Sequence, residues 1–176
     1  MSFSTEQLDL LNLDSVIYFQ APASHRLRIA TSHFEKHTNL LILREFIRSV
    51  FPEHVSISMT GIVSYHIGSK RVREMQYLKN TIKLSNWKEK YVLNDEGTKI
   101  VFTTVKNITT NDVYALCKQT AQGRKCSNLM FYTEDRVLYI SADVFDLVMT
   151  DTKELEQLCT KFHPWIDTYY PNIKSV

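Results

Sequence analysis

Glycine is scarce in this chain. Gly61, Gly68, Gly97 and Gly123 are the only four among 176 residues, and no two lie closer than seven positions. A Walker loop or a dinucleotide fingerprint needs several closely spaced glycines so that the backbone can wrap a phosphate. Both are excluded. Cysteine is also sparse, with Cys117, Cys126 and Cys159 forming an odd set without CxxC spacing. Disulfide frameworks favour even counts in small secreted chains, so free thiols in a reducing, intracellular compartment (cytoplasmic or nuclear) are expected. Long apolar runs are missing: the aliphatic run 40–43 is four residues, against about 20 for a membrane span. The first residues include Glu6, Asp9 and Asp14 and lack a basic n-region. The expectation is a soluble chain without a secretory signal or transmembrane segment.

Familiar catalytic and metal-binding spacings are absent too. His33 and His37 stand four apart in H-F-E-K-H, whereas zincin chemistry needs H-E-x-x-H, with the glutamate next to the first histidine. A two-histidine phosphodiesterase would carry H-x-[ST] twice, which this chain does not. His54, His66 and His163 are solitary. Cys126 follows Arg124-Lys125, cations that favour a thiolate, yet no histidine partner is identifiable, and Cys117 reads as a small apolar helix residue. The acid pairs Asp143/Asp146 and Asp151/Glu154 fit helix N-termini, where the dipole favours negative charge. No catalytic residue, metal ligand or cofactor is therefore expected.

The rest is ordinary globular material, 44% hydrophobic and 23% charged, long enough for one elaborated domain over residues 1–176. An opening helix is expected over 4–13 and a β-type run over 16–20. A half-buried strand follows over 27–31, where Leu27 and Ile29 alternate with Arg26 and Arg28. Ser32 and Glu35 have capping-box spacing for a long helix carrying Phe34, Leu40, Leu41, Phe46, Ile47 and Val50 up to Pro52. Residues 54–67 alternate as a long strand, turned or bulged at Gly61. Hairpins are expected at 90–105, around Asp95-Glu96-Gly97-Thr98, and at 128–141, around Glu134-Asp135. Further helices are expected from Thr110 or Asn111 to Gly123, around 144–148, and from Asp151. The tally is four to five helices and six to seven strands, without linker or repeat. It predicts an α+β domain in which antiparallel hairpins pack against those helices.

What the chain does have is a basic segment, residues 70–90. It holds seven of the 21 basic residues (Lys70, Arg71, Arg73, Lys79, Lys83, Lys88, Lys90) against Glu74 and Glu89, in a chain whose net charge is only +2. Tyr77 and Trp87 are interleaved with the charge, and Tyr91 follows. Val72, Met75 and Leu78 suit a helix there, whereas 81–84 alternates like a strand. Lysine and arginine hold phosphates by charge and counterion release, and aromatic rings stack on unpaired bases. Arg124 and Lys125, and Arg26 with Arg28, are candidates to extend the patch. The leading expectation is a non-enzymatic module that binds nucleic acid, DNA or RNA, or another polyanion through this segment. Residues 126–176 hold eight acids (Glu134, Asp135, Asp143, Asp146, Asp151, Glu154, Glu156, Asp167) and four bases. That asymmetry supports an alternative: a matrix- or scaffold-like assembly protein, of viral type, which self-associates and contacts protein partners or an anionic membrane surface.

Overall fold

The computed structural model describes residues 17–73, 81, 87–94, 96–124 and 128–167. One antiparallel sheet of eight strands organises them: β1 (Arg26–Ala30), β2 (Ile57–Ile67), β3 (Lys70–Arg73), β4 (Trp87–Leu93), β5 (Lys99–Ile108), β6 (Leu129–Tyr132), β7 (Arg136–Ile140) and β8 (Val144–Met149). Their order is β1-β8-β7-β6-β2-β5-β4, with β3 also paired to β2. Among the described residues, four helices with described bounds accompany the sheet: α1 (Ile17–Gln20), α2 (Leu40–Val50), α3 (Thr110–Ala121) and α4 (Thr152–Lys161). This overturns the expected hairpins packed against four to five helices. The hairpins are parts of one large sheet, and the helices are short additions to it.

One face of the sheet holds the main core. Leu27, Ile29, Met59, Val105, Leu129, Phe131, Leu138, Ile140, Phe145 and Leu147 meet Leu43, Phe46, Ile47 and Val50 of α2, Leu116 of α3 and Leu155 of α4. The other face is covered as well, around Met130, Tyr132, Val137, Tyr139 and Val148. Burial on both faces explains why β8 looked helical. Val144, Phe145 and Val148 fit helical spacing, and Asp146 passes for a polar-face residue. In fact Phe145, Leu147 and Met149 point into the main core, while Asp146 and Val148 point to the second face, both of them buried. A strand buried on two sides loses the alternation that identifies it.

Asp146 is not a helix cap. Its carboxylate receives Nε and Nη2 of Arg28 at 2.6 and 2.8 Å, and the Tyr18 ring of α1 lies 4.2 Å from that guanidinium. β1 is therefore buried on both faces, not half-buried, and residues 17–20 form a helical turn against β1 and β8 rather than a strand.

Local signals hold better at the ends of elements. Asp151 caps α4, accepting from the N–H groups of Lys153 and Glu154 at 2.9 and 3.2 Å. The cap of α3 is Thr109, one residue before the expected Thr110, in a reciprocal box with Asp112. Gly123, at φ 72°, ends α3: its N–H bonds Thr120 O and that of Arg124 bonds Gln119 O, a Schellman closure. By contrast, Ser32 and Glu35 do not cap α2. Short 3-10 turns (Thr31–Phe34, His37–Asn39) precede it, and Leu41 is exposed. The β2 bulges lie between Ile57 and Met59 and between Ile62 and Ser64, not at Gly61. The opening helix expected over 4–13 falls outside the described residues.

A second arginine joins three elements. Arg136 of β7 donates to Glu154 Oε1 and Oε2 of α4 at 2.8 and 2.9 Å, to Val50 O at the end of α2 at 2.9 Å, and to its neighbour Asp135. Its side chain is 11% exposed. Arg136→Met removes the partner of two partly solvated carboxylates and of the Val50 carbonyl, and should cost about 1–2 kcal/mol in urea denaturation. The hydrogen bonds from Arg136 hold the Asp135 carboxyl below its ordinary value. A depressed carboxylate stabilises the fold above its unfolded value, near pH 4, and that contribution fades as pH falls through the lower folded value. The deficit of Asp135→Asn relative to wild type should thus be present at pH 6 and shrink toward pH 2.

Candidate nucleic-acid interface

β2 is long, about 37 Å at the usual rise, and changes neighbour along one edge. Residues Ser58 to Gly61 pair with β6, and Ser64 to Ile67 pair with β3. Its other edge pairs with β5, which pairs with β4. The result is a four-stranded wing, β3-β2-β5-β4, whose two hairpin turns lie at the same end. Gly68 (φ 59°) serves the first turn and Gly97 (φ 73°) the second, left-handed conformations that glycine adopts at little steric cost. Asn94 Oδ1 accepts the N–H groups of Glu96 and Thr98 and closes the second turn.

Residues 70–73 are strand, which resolves the helix-or-strand ambiguity there. Directly opposed residues in an antiparallel ladder share a face, so register assigns each cation. Arg71 opposes His66, His66 opposes Lys99, and Lys99 opposes Leu93. Two residues down the wing, Arg73 opposes Ser64, Ser64 opposes Val101, and Val101 opposes Tyr91. Val101 belongs to the main core, so these rows lie on the helix-bearing face. Trp87 and Glu89 join them, opposite Val105 and Thr103. Lys70, Lys88 and Lys90 project from the opposite face, alongside Ile67, Thr104 and Phe102.

The helix-bearing face of the wing thus carries a basic row, Arg71–His66–Lys99, across three adjacent strands, with Arg73 and Tyr91 beside it. Lys99 Nζ sits 4.0 Å from the Tyr91 ring centre. Arg71 Nε donates to the buried Ser64 Oγ at 3.0 Å, and its Nη2 is 3.9 Å from Glu89 Oε1. With both side chains about two-fifths exposed, that ion pair contributes little. Glu89 and Glu96 are the only acids among the described residues of 64–105, against Lys70, Arg71, Arg73, Lys88, Lys90 and Lys99.

Of the residues singled out from sequence, Lys70, Arg71, Arg73, Trp87, Lys88 and Lys90 all lie in the wing and all are exposed. Arg124 is exposed at the end of α3, outside the wing strands. Tyr77, Lys79, Lys83 and Lys125 lie outside the described residues, as does Cys126. Arg26 and Arg28 do not extend the patch, because β1 ends the strand order opposite to β4 and Arg28 is buried against Asp146. Lys99 and His66 were missed. Reading the 94–98 turn as a hairpin places Lys99 at the head of β5, but its alignment with Arg71 depends on β2–β3 pairing as well.

Half of the eight acids in the C-terminal third are engaged internally. Asp146 holds Arg28, Asp135 and Glu154 hold Arg136, and Asp151 caps α4. Less free negative charge remains than composition implies, which weakens association through complementary charged faces. His33 and His37 sit in separate 3-10 turns, with His33 edge-on to Trp165. Among the described residues no cluster of His, Cys, Asp and Glu could hold a metal, and no helix is long and apolar enough to cross a membrane. Compared with family models, curated proteins and solved structures, the chain matches none.

Proposed function

We propose that this protein is a non-enzymatic binding module that holds nucleic acid electrostatically on its β3-β2-β5-β4 wing. The observation that carries this is the row Arg71–His66–Lys99, flanked by Arg73. Arg71 and Lys99 stand two strands apart on one face with the His66 imidazole between them, so an anion laid across the row meets both cations. Phosphates suit it, because lysine and arginine neutralise them and release counterions without reading sequence.

The test is binding of labelled single- and double-stranded probes to the full chain at low salt. Association with a Kd near 10⁻⁴–10⁻⁶ M at physiological salt, alike across sequences, is the expected result. Absence of association even at low salt contradicts the proposal.

Self-association keeps one supporting observation: among the described residues β4 ends the strand order and exposes Tyr91, Val92 and Leu93, apolar side chains of the kind that other chains cover. Sedimentation decides it. Oligomers that grow with concentration support an assembly role, and a strict monomer at high concentration counts against it.

A further inference from the structure

Resting on that reading of the wing, we propose that its ligand is single-stranded nucleic acid, with bases stacked on Trp87 and Tyr91 and phosphates on Arg71, Arg73 and Lys99. Trp87 and Tyr91 project from the same face as the three cations, and they are 40% and 63% exposed. Four residues apart on an extended strand, their Cα atoms stand about 14 Å from each other. Exposed aromatics of this size are unusual on a surface already rich in charge, and β4 does not bury either of them. The bases of a duplex hide their faces in their own stack. Only an unpaired strand can place bases flat on these rings while its backbone stays with the cations.

The chemistry around the rings is graded accordingly. Lys99 touches the Tyr91 ring, so a phosphate held by that ammonium brings its base next to the phenol. Glu89 lies between Trp87 and Tyr91 on the same face and repels phosphate, which directs the backbone toward the row on β3, β2 and β5. Val92 and Lys90 face the other way, so the two aromatic positions are not interchangeable with their neighbours.

The experiment compares a labelled thymidine oligonucleotide, a duplex of the same length, heparin and anionic phospholipid vesicles, all against the full chain at one salt concentration. The single strand should bind at least tenfold tighter than the duplex and quench tryptophan fluorescence. Trp87→Ala and Tyr91→Ala should each weaken single-strand binding about tenfold or more and leave duplex and heparin binding unchanged. Trp87→Phe and Tyr91→Phe should retain most of the affinity, and thermal melts of all four variants should match wild type. Equal affinity for both nucleic acids with full salt dependence overturns the single-strand assignment and leaves the electrostatic reading standing. Equal losses on every probe in the alanine variants also overturn it, since the rings would then serve only the wing's structure. Binding to vesicles with none to either nucleic acid defeats both proposals.

Discussion

Arg28→Ala should cost this protein about 3–5 kcal/mol of folding stability, enough to unfold much of it at physiological temperature. The Arg28–Asp146 pair is two parallel hydrogen bonds between side chains that are 8% and 0% exposed. Removing the guanidinium strands the carboxylate beneath Tyr18. Burial already pushes the Asp146 carboxyl upward, and the Arg28 hydrogen bonds and charge are what pull it back. The large loss measures that stranded charge rather than the worth of the pair, because burying both ions is itself expensive. The double variant Arg28→Met with Asp146→Leu should therefore recover most of the stability, its side chains joining Val137, Tyr139 and Val148 on the second face. Urea denaturation at constant m-value reads both effects. A single-variant cost below about 1 kcal/mol, in the range of exposed pairs, would mean that the second face is wet.

The second large effect concerns binding. The triple variant Arg71→Glu, Arg73→Glu, Lys99→Glu should lose about a thousandfold in nucleic-acid affinity near 50 mM salt. Each lost phosphate contact removes about 0.7 (single strand) to 0.9 (duplex) from the salt slope, which near that concentration is worth about tenfold in affinity. The three residues sit on strands without entering the core: Arg71 and Arg73 are exposed and Lys99 is partly so. Thermal stability should fall modestly, since the variant loses the Arg71–Ser64 hydrogen bond and sets like charges beside the exposed Glu89. The matched control is Lys88→Glu with Lys90→Glu, which reverses two charges of the same basic segment on the opposite face. Its loss should be several-fold smaller. Equal losses in the two variants would mean that net charge, and not the row, carries affinity.

The sequence announces what its residues settle within a few positions. The 94–98 hairpin is legible because Asn94 and Gly97 close it with their own side chain and backbone. Asp151 and Gly123 likewise mark helix ends through contacts no more than five residues away. What is illegible depends on distant partners. Asp146 reads as a helix-face acid until Arg28, 118 residues away, is seen to neutralise it, and with it goes the alternation of β8. The single large sheet is hidden for the same reason, since β1 joins β8 and β2 joins β5 and β6 across long separations. The basic segment is visible as composition, yet its division between two faces follows only from the registers of β3, β2, β5 and β4. Lys99 and His66, outside the segment in sequence, complete the row through those registers.

The most direct measurement is the slope of log Kobs against log salt for a single-stranded probe, taken with wild type and with the Arg71/Arg73/Lys99 triple variant. Wild type should give a slope of about −2 or steeper, and the variant should flatten it by about 2, at roughly 0.7 per contact on a single strand and one contact per residue. A wild-type slope near zero, or an unchanged slope in the variant, would contradict the assignment of the wing as the site that holds nucleic acid.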